Sequence, residues 1–581
     1  MNKRDLRRAR IQKARTATPV APPARVPEKP QRSKFQVAAI VFLRGITSIP
    51  FWCLLAAVWG AISAWLYRDW MNPDGICYMD LAGNALQRGP LALVNAHWSP
   101  LYPALIACWT LLFHPTAAQE FAYVHALNGV IYTLAAVWFG FFLNQLISLR
   151  SSPGQTWVRR SVFITFGFSL FFLYMNADIT PFAVTPDLLL ASAVFAAAGL
   201  FCRVLRGTES WRPYLALGCI LALGYYAKSV MLVVGFVLLI LLLASRPTHL
   251  KRVLLAAVVM LMLAAPQILL VSKRVGHLSI GETGRLNYLW WVNGIQPFVG
   301  WTGTPGGDEP VHAPRTIFEN PQVLEFATPI AGTYPLWYDP AYWYEGAKAR
   351  FNASQQIAAL KRSFRFYAGI FNDLKYPITG LAVLTVLALW RRSSPNWIYL
   401  WLVIWSIGIL CMYALEFTEY RYTAPFLIVF WLAAYGAVLK RDGTPEWIVL
   451  LLIAGLLLAP RIKDVASQYD ALSRPRGEFD HVVAARHLEA MGIRDGDHIA
   501  TVGAPFVDFY ARIARLRVIA QVSDEAAFWK LPQQQAEAIE NALAKTGAKV
   551  LVARDRPAAF QEHSWQQIPG TRFSLLKLKI W

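Results

Sequence analysis

The chain has 581 residues, of which 56% are hydrophobic and only 16% are charged. A soluble globular protein carries about 25% charged residues, so the composition excludes a soluble protein and favours an integral membrane protein. The net charge of +21 would suit a nucleic-acid-binding protein, but the cations lie mostly in the N-terminal tail and in short clusters between apolar runs. That distribution favours anionic lipid headgroups and argues against nucleic acid as a partner.

The N-terminal tail is the most basic part of the chain. Residues 1–35 contain eleven Lys and Arg residues against two acids, and the second half of the tail is rich in proline. This composition predicts disorder, and its charge predicts that the tail stays on the cytoplasmic side of the first membrane helix. We therefore assign residues 1–45 to a basic, disordered cytoplasmic tail.

Eleven apolar runs follow, each long enough or nearly long enough to cross the ~30 Å hydrocarbon layer of a membrane. Basic clusters occupy every second gap between these runs, as expected for cytoplasmic loops. The alternation predicts about eleven transmembrane helices, with the N-terminus in the cytoplasm and the C-terminus on the external, periplasmic side. The predicted spans are 46–67, 121–147, 161–177, 187–205, 213–228, 230–245, 253–271, 371–390, 396–415, 421–439 and 445–460. The basic clusters are Arg150/Arg159/Arg160, Arg203/Arg206, Arg246/Lys251/Arg252, Arg391/Arg392 and Lys440/Arg441.

Two short stretches before the second span are predicted to stay at the external surface. Residues 99–113 are apolar, but the run is short and contains Pro100 and Pro103. If it crossed the membrane, the basic clusters that follow it would move outside, so we predict an interfacial or re-entrant helix there. Residues 75–88 have the pattern of a short amphipathic helix.

The last part of the chain changes character. Residues 461–581 alternate helical and strand patterns, which predicts a small α/β domain. The fold predicted is therefore an α-helical polytopic membrane protein with a C-terminal external α/β accessory domain. Its transmembrane part comprises residues 46–460 and carries external loops at 68–120 and 272–370. The strands of the accessory domain are predicted at 497–502, 516–521, 549–552 and 572–578.

Two acidic residues lie at predicted external helix ends. Asp74 follows the first span in the turn-forming sequence Asn-Pro-Asp-Gly, and Asp187 begins the fourth span after Thr-Pro. A carboxylate at the boundary between water and lipid is well placed to act as a general base. The structural alternatives are a turn residue at Asp74 and a charge favoured by the helix dipole at Asp187. Asp178 is a weaker candidate on the same loop as Asp187, and Asp80 suits a helix-capping role.

Two cations lie at the same predicted external level. Lys228 separates two short apolar runs, where an ionisable residue is a functional candidate, although snorkelling of the side chain to the interface would also explain it. Arg421 precedes a late span, and its guanidinium can bind a phosphate bidentately or pair with Glu416 or Glu419. The external loop 272–370 is rich in Trp and Tyr, which suits both sugar stacking and a membrane-interface belt.

Two further residues are candidates. Arg285 lies in the loop 272–370 and is predicted to add a phosphate contact. His97 precedes the interfacial helix, and the histidines of the external loops have no metal-ligand spacing. A metal site is therefore not predicted from the residues.

Several short motifs together resemble the GT-C superfamily, the polytopic glycosyltransferases that use polyprenyl-phosphate-linked sugars. The resemblance is to bacterial members related to aminoarabinose–lipid A transferases and protein O-mannosyltransferases, and it covers about residues 46–440. The motifs that carry it are Asp74 with Tyr78, His97-Trp-Ser-Pro100-Leu-Tyr-Pro103, Thr185-Pro-Asp187, Ala227-Lys228 and Arg421-Tyr422.

The resemblance implies a set of roles. Asp74 would be the catalytic base, Asp187 the second active-site acid, and Lys228 and Arg421 would bind the donor phosphate. The remaining predicted substrate-binding residues are Tyr78, His97, Arg285, Glu419 and Tyr422. The donor would be a polyprenyl-phosphate-linked sugar, and the acceptor a lipid, a glycan or a protein, at the bacterial inner membrane.

The sequence also departs from the family pattern. The acid that commonly follows the first-loop Asp is replaced by Gly75, a position basic in some members is Cys77, and the acid before the interfacial helix is absent, with His97 nearby. No cofactor is predicted, and a divalent metal is allowed but not required, because fixed cations can neutralise a monophosphate leaving group. Two other functions fit the same chain: a flippase or transporter of lipid-linked sugars, and an O-antigen polymerase or ligase that would depend on Arg or His residues in the large loops.

Overall fold

A computed structural model of the chain describes residues 41–149, 157–177, 179–297, 300–304, 307–326, 331–392, 395–439, 444–473, 479–557 and 564–578. Residues 1–40, Arg150, Asp178, Lys440 and Arg441 lie outside the described residues, so what the sequence indicates about them stays a prediction. Residues 47–581 form one compact unit.

Helices dominate the fold and occur at every position where an apolar run predicts one. The long helices are α1 (Ile49–Leu66), α4 (Glu120–Ser148), α5 (Trp157–Ala177), α6 (Asp187–Leu205), α7 (Arg212–Ala227), α8 (Met231–Ser245), α9 (Leu250–Val275), α13 (Ala353–Asp373), α14 (Lys375–Trp390), α15 (Leu400–Ala414), α16 (Tyr420–Val438) and α17 (Thr444–Ser473). The shorter helices are α2 (Pro73–Arg88), α3 (Leu101–Phe113), α10 (Thr283–Asn287), α11 (Pro335–Tyr338), α12 (Pro340–Trp343), α18 (Asp480–Ala490), α19 (Tyr510–Ile513), α20 (Glu525–Phe528) and α21 (Gln533–Lys545).

Seven of the described helices are long and apolar enough to cross a membrane: α1, α4, α5, α6, α9, α15 and α16. The chain is therefore a multi-pass membrane protein. Helix α14 with α13 forms a bent pair that would raise the number to eight. Helices α7 and α8 have 16 and 15 residues, about 24 Å and 22 Å at 1.5 Å per residue, and fall short of a full span. The predicted count of about eleven spans stays a prediction.

The two short helices before α4 form as the sequence predicts. Helix α2 begins at Pro73, whose fixed φ suits the first turn of a helix. Helix α3 has only 13 residues and ends at His114 in the left-handed region, with φ 48°. At about 20 Å it is too short to cross the hydrocarbon layer, in agreement with an interfacial or re-entrant helix.

A mixed sheet lies towards the C-terminus. Its strands are β1 (Arg315–Phe318), β2 (Val323–Glu325), β3 (His498–Val502), β4 (Arg517–Val522), β5 (Val550–Arg554), β6 (Gln566–Gln567) and β7 (Phe573–Lys577), in the order β1-β2-β4-β3-β5-β7-β6. Strand β3 runs parallel to β4 and β5, and the other pairings are antiparallel. The four predicted strands are confirmed, but β1 and β2 come from the loop 272–370, which is predicted to be external, and these two strands were not predicted. The sheet therefore joins that loop to the C-terminal region.

An ionic network attaches α2 to the C-terminal region. Asp80 accepts hydrogen bonds from the backbone N–H of Thr333 at 2.6 Å and from its hydroxyl at 2.9 Å. Its Oδ1 also lies 3.3 Å from Nε of Arg512, and Nη2 of Arg512 lies 2.8 Å from Glu120. We call Asp80, Glu120, Thr333 and Arg512 the Asp80 network. It fixes the face of α2 that points away from Asp74.

Candidate active site

The loop before α2 is attached to the loop before α6. The side chain of Asn72 accepts a hydrogen bond from the Val184 N–H at 2.8 Å and donates one to the Val184 carbonyl at 3.5 Å. An added Cβ at Gly75 would lie 2.8 Å from Cβ of Val184, so only glycine allows this close approach. The departure from the family pattern at Gly75 therefore has a packing reason, and the contact brings Asp74 towards Asp187.

Five charged side chains from four segments meet at the ends of α2, α6, α7 and α16. Nη1 of Arg421 lies 3.0 Å from Oδ2 of Asp74 and 3.6 Å from Oδ2 of Asp187. Nζ of Lys228 lies 2.6 Å from Oδ1 of Asp187, and Nε of Arg421 lies 3.0 Å from Glu419. We call Asp74, Asp187, Lys228, Glu419 and Arg421 the charged cluster. It brings together five of the nine predicted site residues.

An aromatic ring supports the two cations of this cluster. Nζ of Lys228 lies 3.7 Å from the centroid of the Tyr422 ring, and Cζ of Arg421 lies 5.3 Å from the same centroid. The face of an aromatic ring attracts a cation. Tyr422, also a predicted site residue, therefore helps to hold both cations in place.

The charged cluster is graded in depth. Asp187 is 1% exposed, whereas Lys228, Arg421 and Asp74 are 19%, 23% and 18% exposed. A buried carboxylate needs paired cations, and Asp187 has one on each oxygen. Asp74, Lys228 and Arg421 are therefore closer to the surface than Asp187.

Tyr78 and His97 lie beside the cluster as neutral groups. Burial raises the pKa of Tyr78 well above its ordinary value, and its ring contacts Trp98 at 5.1 Å. Burial lowers the pKa of His97 to about 4, so its imidazole is neutral at pH 7. Its Nδ1 is buried and has no hydrogen-bond partner among the described residues. Both side chains are suited to hydrogen bonding rather than to charge neutralisation.

Arg285 lies apart from the charged cluster. Its Nε is 2.5 Å from Glu282 and its Nη1 donates to the Ala347 carbonyl at 2.9 Å. It lines a separate cavity of about 450 Å³ together with Arg274 and Asp339. The structure therefore gives Arg285 no contact with the other predicted site residues.

The described residues were also compared with the requirements of a metal site. Within the described ranges, no group of three or more His, Cys, Asp or Glu side chains is arranged to hold a metal ion. The carboxylates of Asp74 and Asp187 are paired with Arg421 and Lys228.

Comparisons with known proteins give the fold. The chain is similar in structure to ArnT from Cupriavidus metallidurans bound to undecaprenyl phosphate, with a TM-score of 0.51 and 13% identity over 91% of this chain and 98% of that one. The apo form of that protein gives a TM-score of 0.50 over the same shares, also at 13% identity. An oligosaccharyltransferase of Archaeoglobus fulgidus, in complex with Zn and sulfate, gives 0.48 at 12% identity over 87% of this chain and 68% of that one. No protein-family model matches the chain, and no curated protein matches it by sequence.

The likeness to ArnT extends over nearly the whole of both chains. It shows that the chain shares the fold of ArnT, in agreement with the predicted α-helical polytopic membrane protein with a C-terminal α/β domain. At 13% identity it establishes the fold alone, so the activity has to be argued from the charged cluster.

Proposed function

We propose that the chain is a membrane glycosyltransferase that moves a sugar from a polyprenyl-phosphate donor to an acceptor hydroxyl on the external face. The observation that carries this proposal is the charged cluster itself, in which two carboxylates and two cations from four distant segments meet within 3.6 Å of Arg421 or Lys228. Ionisable groups gathered at helix ends in a membrane protein are expensive to maintain and mark functional sites.

The two cations suit a phosphate. Arginine carries five N–H donors in a fixed fork, and among the described residues the carboxylates engage Nη1 and Nε, which leaves Nη2 for a ligand. Lysine carries three donors, and one of those of Lys228 is used by Asp187. A phosphate bound between Lys228 and Arg421 would keep its negative charge neutralised throughout the reaction.

The proposed transfer is a single displacement. The acceptor oxygen forms a bond to the anomeric carbon, and its proton passes to the Asp74 carboxylate. The bond between the anomeric carbon and the phosphate oxygen breaks, and its electron pair leaves with the polyprenyl phosphate. Attack from the face opposite the leaving group inverts the anomeric configuration.

Asp187 has a different proposed role. It is 1% exposed and lies 2.6 Å from Lys228 and 3.6 Å from Arg421, so it is well placed to orient both cations. Tyr78 and His97 would donate or accept hydrogen bonds with the substrates as neutral groups. The donor class is supported by the undecaprenyl phosphate bound to the similar ArnT. The acceptor is proposed as a lipid, a glycan or a protein.

The proposed location is the bacterial inner membrane, with the N-terminus in the cytoplasm and residues 461–581 as a periplasmic accessory domain. The alternation of basic clusters along the sequence supports this orientation.

The function is tested with the purified full-length chain in liposomes that contain a labelled polyprenyl-phosphate sugar. A glycosyltransferase releases polyprenyl phosphate and changes the mass of an acceptor added from a cell-envelope extract. A flippase moves the labelled lipid to the other leaflet without changing its mass. Movement without a mass change would overturn the proposal. Mass spectrometry of envelope glycans and lipids from a deletion strain would identify the acceptor.

A further inference from the structure

The strongest feature outside the charged cluster is helix α13, which begins within the loop 272–370. It carries Lys361, Arg362 and Arg365, and its one acid is its last residue, Asp373. An amphipathic helix with a basic polar side is typical of helices that lie on an anionic lipid surface.

One face of α13 is apolar and exposed. Ile357, Leu360 and Phe364 are 52%, 38% and 73% exposed, and their spacing places them on the same side of the helix. Phe351, just before the helix, is 77% exposed. Lys361 lies within this stripe at helical spacing, where a long side chain can carry its charge to headgroup level while its methylene groups stay in apolar surroundings.

The opposite face of α13 is fixed to the protein beside the charged cluster. The hydroxyl of Ser363 donates to the Ala414 carbonyl at 3.0 Å, and that of Tyr367 donates to the Leu410 carbonyl at 2.7 Å. The ring of Phe366 lies 4.6 Å from that of Tyr420, the neighbour of Arg421. These contacts fix the orientation of the exposed apolar face of α13 relative to the charged cluster.

The axis of α13 makes an angle of 78° with that of α14. Helix α14 is apolar and occupies the position of a predicted span, whereas the three cations of α13 make it unsuited to cross. We take α14, at the predicted span 371–390, to run along the membrane normal, and a helix at 78° to that direction lies close to the membrane plane.

We propose that α13 lies on the external membrane surface, with its apolar stripe among the lipid chains and with Lys361 and Arg365 binding the phosphates of anionic phospholipids. Charge complementarity selects this occupant, since each cation near an anionic surface contributes attraction.

The test uses the full-length chain with Cys108, Cys219 and Cys411, its exposed cysteines, replaced by serine. A nitroxide is attached at Phe364→Cys, and the protein is reconstituted in vesicles of phosphatidylcholine alone or with one quarter phosphatidylglycerol. Collision with oxygen and with a water-soluble nickel complex reports the depth of the label. A label at Arg494→Cys serves as the aqueous control.

The expected result is a label at residue 364 that collides with oxygen, about 5–10 Å below the headgroups, and lies deeper when phosphatidylglycerol is present. Free access of the nickel complex in both vesicles would overturn the proposal. Protection from both reagents would also overturn it, because a protein partner would then cover the stripe.

A second readout measures the lipid preference directly. Native mass spectrometry of the protein from mixed micelles is expected to show more phosphatidylglycerol than phosphatidylcholine adducts. Lys361→Gln with Arg365→Gln should lower that ratio by about fivefold for each cation removed. Arg494→Gln with Lys530→Gln removes the same charge elsewhere and should leave it unchanged; an equal drop in this control would overturn the role of α13. Neither readout depends on sugar transfer, so either can fail without affecting the proposed function.

Discussion

Helix α2 presents two aspartates to two different charged environments. Asp74 has one ionic partner among the described residues, Arg421, and is 18% exposed. Asp80 is 7% exposed and has Arg512 and two hydrogen bonds from Thr333. Asp74 is thus held by a single ionic contact at the start of the helix, whereas Asp80, further along the helix, is held by an arginine and two hydrogen bonds.

The difference shows which carboxylate can react. Asp80 is buried and is held by Arg512 and by two hydrogen bonds from Thr333, so it mainly fixes the structure. Asp74 has one ionic partner, which a substrate can displace. We therefore propose that Asp74 takes part in the reaction and that Asp80 holds α2 in position. Four experiments test this difference.

The largest effect is expected for Asp74→Asn. Loss of the general base should lower the rate of transfer by about 10²–10⁴, while folding is retained because Arg421 keeps Asp187 and Glu419 as partners. The measurement is transfer from a labelled polyprenyl-phosphate sugar, with the amount of folded protein determined by size-exclusion chromatography. Normal transfer by the folded variant would remove Asp74 from the role of base.

Lys228→Met should affect both stability and transfer. It leaves the buried Asp187 with Arg421 as its remaining cation, and breaking a buried ion pair costs about 3–5 kcal/mol. Lys228→Arg retains the charge and is the matched control. Adding Asp187→Asn to Lys228→Met should recover most of the thermal stability without recovering transfer; recovery of both would show that Lys228 is only structural.

Asp80→Asn should lower the stability of the protein and leave donor binding unchanged. It removes the charge that faces Arg512 but leaves Glu120 as a partner of that guanidinium, so a loss of about 1–3 kcal/mol in stability is expected. The Michaelis constant for the donor should stay unchanged because Asp80 lies outside the charged cluster. A large rise in that constant at unchanged thermal stability would contradict the division between the two ends of α2.

The smallest effect concerns His97 and pH. Burial lowers its pKa from 6.5 to about 4, so the unfolded chain binds this proton more readily than the folded one. The stability contribution is therefore complete above pH 6.5 and is lost as the pH falls towards 4. His97→Gln should flatten the fall in unfolding temperature over this window. An unchanged slope would mean that the imidazole titrates freely in the folded protein.

The helices were well predicted because each membrane span is a long run of apolar residues that are neighbours in the sequence. Apolar runs indicate the segments that cross the hydrocarbon layer, and basic clusters indicate the loops between them. The helices near Asp74, Asp187 and Arg421 can therefore be predicted from the sequence alone. The short strands β1 and β2 were missed because three or four residues in a Pro- and Gly-rich loop show no alternation. Their pairing depends on β4, which lies far along the chain.

The site was predicted in part for the same reason. Short motifs at helix ends identified Asp74, Lys228 and Arg421, which the structure brings together. The partner of Asp80 could not be predicted, because Arg512 lies in no recognisable motif and the two residues are far apart in the sequence. The sequence placed Arg285 among the site residues by composition, whereas the structure surrounds that guanidinium with Glu282 and Ala347.

The long-range contacts of the C-terminal region have a consequence for the order of synthesis. Arg515 contacts Glu120 across a separation of 395 residues, and Arg512 joins the same network. Domains generally fold from the N-terminus during translation, so α2 is inserted long before its Arg512 partner exists. Until the last part of the chain emerges, Asp80 lacks Arg512, and strand β2 has β1 as its partner but not β4. A ribosome that stalls before Arg512 would thus leave a nascent chain with an exposed strand edge, which proteolytic quality control can recognise.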